Sequence, residues 1–291
     1  MPALSPINLL SLPDLYRHFA QTGLIRRVLE LARDEDLGAA DNPERDARPT
    51  ERAPLHARSS GDLTSDGCIA PNRTARAYVI ARGGGVIAGL AAIPDLLSIF
   101  APACKAHMLT QDGDHVRAGA CLAVISGALD EILGLERTLL NLIGRLSGIA
   151  TRTDEFARRI PASSHARLFD TRKTTPGLRV LEKYAVRCGG GYSHRIGLFD
   201  AVLIKDNHLA GTTPGTIAAF VAAAAEKARA SSTPAFIEVE VDTLDQFDAL
   251  LMLPPKTIDI ILLDNMSCEQ MAAANLRRIA QRPVLELEAS G

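Results

Sequence analysis

The sequence predicts an α/β protein of about two domains, and three observations predict it. Residues 75–127 carry short strand-like stretches separated by turn signals. A strongly amphipathic helix follows over 130–146. From residue 167 onward, short apolar stretches alternate with helical ones, the pattern of a parallel sheet or an α/β barrel. The length of 291 residues accommodates about two domains of ordinary size.

Composition narrows the function classes. The chain has 32 Lys plus Arg against 34 Asp plus Glu, a net charge of −2. No chain-wide positive field exists to draw nucleic acid or an anionic membrane, so any basic site has to be local. The five cysteines, Cys68, Cys104, Cys121, Cys188 and Cys268, are odd in number and contain no C-x-x-C pair. That speaks against a disulfide framework or a zinc site and for a reducing compartment. No charged segment followed by a long apolar core opens the chain. The longest apolar run, Ile217–Ala225, is far short of the about 20 residues a membrane helix needs. The expectation is a cytoplasmic protein with no membrane and no nucleic-acid partner.

In chain order, the first ~30 residues read as helical, with Leu15, Phe19, Leu24, Val28, Leu29 and Leu31 as the apolar positions. Asp41–Ser60, rich in Arg, Pro, Asp and Glu, reads as a solvated loop or insertion. Arg76–Ala81 and Val86–Ala91 read as strands broken by Gly83–Gly85, with turns at Asp112-Gly113 and Ala118-Gly119. The absence of a lysine at the hairpin tip speaks against a biotinyl- or lipoyl-type hairpin. In Asp130–Leu146, Ile132, Leu135, Leu139, Leu142, Ile143 and Leu146 form one helical face, Gly148 reads as the stop, and Arg137 and Asn141 project together from another face. Strands are then expected at Arg167–Phe169, Ala201–Ile204, Phe236–Val241, Ile258–Leu263 and Val284–Leu287. Helices are expected at Thr216–Ala230, Leu244–Leu251 and Cys268–Ala280.

Polar residues follow these strands at once: Asp170 to Lys173, Lys205 to His208, Asp242, Asp264-Asn265, then Glu288 and Ser290. Ligands of α/β folds bind at the C-terminal strand ends. Within the strand 236–241, Glu238 and Glu240 alternate with apolar residues, and a buried carboxylate needs a partner or a metal. The window Asp170–His208 is locally basic. Arg179, Lys183 and Arg187, at spacing i, i+4, i+8, read as solvated helix charges. Arg172, Lys173, His194, Arg195 and Lys205 sit at strand ends or beside Gly189–Gly191. Several cations converging there suit a substrate with several negative charges, because Arg grips carboxylate or phosphate bidentately and Lys acts as a point charge. Glu240 and Asp264 end adjacent strands, a pair able to hold magnesium together with substrate phosphates.

At these residues the chain resembles the quinolinate phosphoribosyltransferase family. The run DTRKTTPGLRVLEKYAVRCGGGYSHRIGLFDAVLIKDNH (170–208) is similar to the family's signature. ERTLLNLIGRLSGIAT (136–151), IEVEVD (237–242) and LLDN (262–265) match further blocks in order, and EDLG (35–38), GDLTS (61–65) and GVIAGL (85–90) resemble N-terminal segments. The resemblance implies an N-terminal α/β sandwich domain, about 1–146 with an insertion at 41–60, and a C-terminal incomplete α/β barrel, about 147–291. It implies transfer of phosphoribose from phosphoribosyl pyrophosphate to quinolinate with decarboxylation, giving nicotinate mononucleotide for NAD biosynthesis (a pentosyltransferase, EC 2.4.2.19), with Mg2+ as cofactor. It also implies a homodimer, or a higher oligomer of dimers, in which Arg137 reaches the neighbouring site. Residue by residue, Thr171, Arg172, His194, Arg195 and Lys205 match the dicarboxylate clamp and Lys173 a contact to the phosphoribosyl substrate. Glu240 and Asp264 match acids near the ribose and its magnesium, and Ser290-Gly291 the start of the 5′-phosphate loop.

The chain departs from the family pattern at Ser193, where Asn is usual, in the insertion, and at its end, where one more strand–loop–helix unit is expected; a truncated barrel with an open edge is the expectation. Two alternatives stay open. One is a Schiff-base barrel enzyme using Lys205. The other is a non-catalytic or differently specific relative.

Overall fold

A computed structural model describes residues 5–38 and 61–291, so the expected insertion at 41–60 lies outside the described residues. Contacts divide the chain into Leu10–His194 and a second unit of Arg195–Gly291 with the segment ending at Leu9.

The unit Leu10–His194 opens with two helices where the sequence suggested one helical stretch: α1 (Leu12–Gln21) and α2 (Leu24–Leu37). The Ser11 hydroxyl accepts from the Asp14 amide at 3.3 Å and starts α1, and Gly23, at φ 73°, breaks the run because that left-handed conformation cannot continue a helix. Leu15, Phe19, Ile25 and Leu29 form the buried stripe of the pair. The short α3 (Leu63–Cys68) is capped by Asp62, which accepts from the Thr64 and Ser65 amides at 3.0 and 3.1 Å.

β1 (Thr74–Ile80) pairs antiparallel with β5 (Cys121–Ala128), whose other edge takes β3 (Lys105–Met108). β2 (Gly85–Val86) and β4 (His115–Val116) form a separate two-residue ladder. The strand expected over 86–91 therefore ends almost at once, passing through a 3-10 turn, Leu90–Ala92, into α4 (Ile93–Phe100). The cause is Asp112: its carboxylate accepts from the Leu90 and Ala91 amides at 2.8 and 2.9 Å and pulls them out of any ladder.

α5 (Leu129–Ala157) runs 29 residues and passes straight through Gly148, which was expected to stop it. A helical glycine costs only about 1 kcal/mol relative to Ala. Beyond it the buried face continues through Ala150 and Thr153. On the same side, the Ser147 and Thr151 hydroxyls accept from the Ala88 and Val86 amides at 3.1 and 2.9 Å, tying the helix to β2 and the segment after it. α6 (Arg179–Cys188) packs against α5. The strand expected at Arg167–Phe169 is reduced to one parallel bridge, Phe169 to Tyr192.

The unit Arg195–Gly291 is the expected strand–helix alternation. β6 (Val202–Ile204), α7 (Asp206–Leu209), α8 (Ile217–Ser231), β7 (Ile237–Val241), α9 (Leu244–Leu251), β8 (Ile260–Asp264), α10 (Cys268–Gln281) and β9 (Glu286–Ser290) follow in order, and the four strands are parallel in sequence order. Thr243-x-x-Gln246 and Ser267-x-x-Gln270 are reciprocal capping boxes that start α9 and α10 where the sequence placed them. The last strand starts two residues later than expected because the Leu285 amide is taken up by the Arg282 carbonyl at 3.0 Å, so pairing with β8 begins at Glu286. Ile237, Val239, Val241, Ile261 and Leu263 face the helices and join Phe247, Leu250 and Val221 in one core, each such side chain contributing about 1.5–3 kcal/mol by burial.

Candidate active site

In the unit Leu10–His194, the cationic residues expected to bind substrate stand on a short arch between Phe169 and α6. Thr171 and Lys173 are exposed and Arg172 is half-buried. The arch is closed internally by the Lys173 amide donating to Thr171 Oγ1 at 3.0 Å and the Thr174 amide donating to the Arg172 carbonyl at 2.9 Å. Its first residue, Asp170, accepts at Oδ1 from Lys183 Nζ and from the His194 amide at 2.9 Å. Its last, Thr175, donates its amide to Glu182 Oε2 at 3.1 Å, while Arg145 Nε donates to Glu182 Oε1 at 3.0 Å.

These contacts correct one expectation. Arg179, Lys183 and Arg187 are not solvated helix charges. Lys183 is 1% exposed and paired with Asp170. Arg179 Nε donates to Thr174 Oγ1 at 3.1 Å, and Arg187 donates to the Gly191 and Leu10 carbonyls at 3.1 and 3.3 Å. Lys183 falls among Val180, Leu181, Tyr184, Ala185 and Cys188, the buried face of α6, and that was the readable signal.

Electrostatics follow burial here. Burial pushes the Asp170 carboxyl up, and the Lys183 ammonium and His194 amide pull it back. At Glu182, burial opposes ionisation, but the bonds from Arg145 and Thr175 outweigh it and hold the carboxyl below its usual range. Burial, with the Asp112 carboxylate nearby, drives the Cys188 thiol well up, as a structural cysteine requires. The run Gly189–Gly191 serves packing. A Cβ on Gly189 would lie 2.2 Å from the Ala150 carbonyl oxygen of α5, and Gly190 has φ 82°. His194 is buried, with its ring edge-on to Phe169 at 6.5 Å. Arg137 is exposed on α5 between the exposed Leu133 and Leu140.

In the unit Arg195–Gly291, register decides which side chains share a face. Leu203, Glu238, Ile260 and Glu286 are laterally paired, as are Glu240, Leu262 and Glu288, and Asp264 with Ser290. With the strand period of two, Glu238, Glu240, Asp264, Glu286, Glu288 and Ser290 therefore occupy the face opposite the helices. Glu286 lies inside the expected strand Val284–Leu287, and only the polar residues after that strand, Glu288 and Ser290, stood out in the sequence. Lys205, directly after β6, donates from Nζ to Glu240 Oε2 at 2.6 Å, with the carboxylate side chain only 11% exposed. The Lys205 amide donates to His208 Nδ1 at 2.9 Å. Asp264 accepts from Ser290 Oγ at 2.8 Å and Asn265 Nδ2 at 2.6 Å, and the Asn265 amide donates to the Ser290 carbonyl at 2.9 Å with Gly291 beside it. Arg195 is buried and reaches the Ala201 carbonyl at 3.4 Å. The turn after it is fixed by Asp200, which accepts from the Ile196 and Gly197 amides at 2.7 and 2.8 Å. Glu240 and Asp264 offer hard carboxylate oxygens near neighbouring strand ends, their Cα atoms roughly 8 Å apart by strand spacing and rise.

Comparison with known proteins identifies the family. The family model "Quinolinate phosphoribosyl transferase, N-terminal domain" matches residues 62–147, and its C-terminal counterpart matches 149–291. A nicotinate-nucleotide pyrophosphorylase (carboxylating) of Mycobacterium leprae is 39% identical over 249 residues, 84% of each chain. NadC from Streptococcus pyogenes superposes with a TM-score of 0.73 at 31% identity, over 92% of this chain and 84% of that one. The nicotinate-nucleotide pyrophosphorylase of Francisella tularensis superposes with 0.72 at 28% identity, over 99% and 94%.

Proposed function

Since the chain belongs to the quinolinate phosphoribosyltransferase family, we infer its reaction from that membership and from the charges just described. It transfers the phosphoribosyl group of phosphoribosyl pyrophosphate to quinolinate with decarboxylation, forming nicotinate mononucleotide, pyrophosphate and CO2, a step of NAD biosynthesis. The observation that carries this reading is the set of ionised groups at the C-terminal strand ends, above all Lys205 bonded to Glu240 and Asp264 bonded to Ser290. The Schiff-base alternative gains nothing, since both family models and the named relatives point to phosphoribosyl transfer.

The chemistry assigns roles residue by residue. Thr171, Arg172, His194, Arg195 and Lys205 hold the two carboxylates of quinolinate and so aim its ring nitrogen at C1 of the sugar. The nitrogen attacks C1 as pyrophosphate leaves. Glu240 and Asp264 stabilise the positive charge that develops on the ribosyl ring. Loss of the 2-carboxylate as CO2 leaves an electron pair at C2 that takes up a proton. No general base is needed, because the attacking nitrogen carries no proton. Lys173 contacts the phosphoribosyl substrate, and Ser290 and Gly291 begin the 5′-phosphate loop. Glu240 and Asp264 would hold a magnesium ion jointly with substrate phosphates, both offering carboxylate oxygens; when bound, it would neutralise pyrophosphate.

The active form we propose is a homodimer in which Arg137 serves the partner's site, a reading supported by its exposure on α5 beside exposed leucines. No described helix is long and apolar enough to cross a membrane, and a cytoplasmic location remains part of the proposal.

Calorimetric titration with quinolinate, using nicotinate as control, tests the reading. Quinolinate is expected to bind at least about tenfold tighter, the value of one charge-assisted contact to the second carboxylate. Equal binding by the folded chain would sink the dicarboxylate assignment.

A further inference from the structure

We propose that the consecutive α6 residues Glu182 and Lys183, with Arg145 and Asp170, are positioning residues that hold Arg172 in the orientation that distinguishes a substrate bearing two carboxylates. The inference rests on the reading of Arg172 as part of the carboxylate clamp. Arg172 stands in the middle of an arch whose two ends are tied to adjacent residues of one helix. Asp170 takes the Lys183 ammonium, and Thr175 gives its amide to Glu182. A loop of six residues held at both ends has little freedom left, so the direction of Arg172 follows from α6.

Three further observations point the same way. The oxygen of Asp170 that takes Lys183 also takes the His194 amide, so the arch and the turn leading to Arg195 are referred to one atom. Arg145 reaches Glu182 and Thr175 from α5, fixing the far end of the arch a second time. Arg172 Nε is buried without a hydrogen-bond partner among the described residues, so the scaffold takes no hydrogen bond from that atom. A stability role alone does not call for this design. A buried ion pair is commonly no better for stability than apolar residues of the same volume, and in the proposal this pair serves to fix the geometry of the arch.

The test measures the ratio of quinolinate to nicotinate affinity by calorimetry on the full chain. Two variants are used: Asp170→Asn/Lys183→Met, which removes both charges at nearly constant volume, and Arg145→Met, which frees the far end from a side chain that is 46% exposed. Thermal melting checks that each is folded. The expected result is a ratio reduced about tenfold, the size of one misdirected charge-assisted bond, with nicotinate affinity held within about twofold. A merely structural role would move the melting temperature and leave the ratio unchanged, and that outcome in folded Arg145→Met overturns the proposal even if the double variant fails to fold. A wild-type chain that does not discriminate quinolinate overturns the clamp itself and this inference with it. Wild-type discrimination with an unchanged ratio in the variants overturns the inference alone.

Discussion

Arg172 and Cys188 show how far local environment sets a residue's role. Arg172 sits on a braced arch with the Nε atom uncommitted, so Arg172→Met is expected to weaken quinolinate binding by about 10- to 100-fold, the range of a lost charge-assisted hydrogen bond. A loss under about threefold by calorimetry would contradict its place in the clamp. Cys188 lies beside the glycine run close in sequence to these cations, yet its thiol is buried and held above its usual range. The thiolate is the reactive form, so at pH 8 iodoacetamide is expected to label the exposed Cys68 and Cys268 and spare Cys188 in the native protein. Peptide mass spectrometry reads this directly, and native labelling of Cys188 would refute its buried, neutral state.

Elements depend on backbone approach as much as on side chains, and two glycines on either side of the α5–α6 contact make the point with opposite signs. Gly148 lies within α5 and a Cβ there would meet nothing within 4 Å. Gly148→Ala is expected to raise stability by about 0.5–1 kcal/mol through the lower helix cost of alanine. At Gly189 the added carbon would lie 2.2 Å from the Ala150 carbonyl oxygen and 2.7 Å from Thr153 Cβ. Gly189→Ala is expected to lower stability by about 1–3 kcal/mol through overpacking. Thermal unfolding of the two variants decides, and a Gly189→Ala chain as stable as the wild type would mean that the α5–α6 approach is not the constraint.

At the scale of the whole molecule, the proposed dimer makes Arg137 a group supplied in trans. Arg137→Ala and Lys205→Ala chains are each expected to be inactive alone. Unfolded together and refolded, they should regain activity at about a quarter of the sites, because half of the dimers are mixed and a mixed dimer has one intact site. Recovery no greater than the sum of the separate variants would place Arg137 outside the partner's site. Magnesium omission should remove turnover in the wild-type chain while leaving most of the quinolinate affinity in place, since Thr171, Arg172, His194 and Arg195 of the proposed clamp are not proposed metal ligands.

The sequence by itself determined the strand–helix alternation after residue 195, the helix α5 with its buried stripe, and the identity of the strand-end residues Lys205, Glu240 and Asp264. Those signals are periodic or local, and periodicity reports which face is buried. Only the tertiary structure decided that Lys183 is buried on Asp170, that Glu182 and Arg145 brace Thr175, that Asp112 ends the strand after Val86, and that Gly148 does not stop α5. Each of these depends on a partner between about 7 and 60 residues away, and a buried charge or an interrupted ladder is settled by the group that satisfies it rather than by its neighbours in the chain.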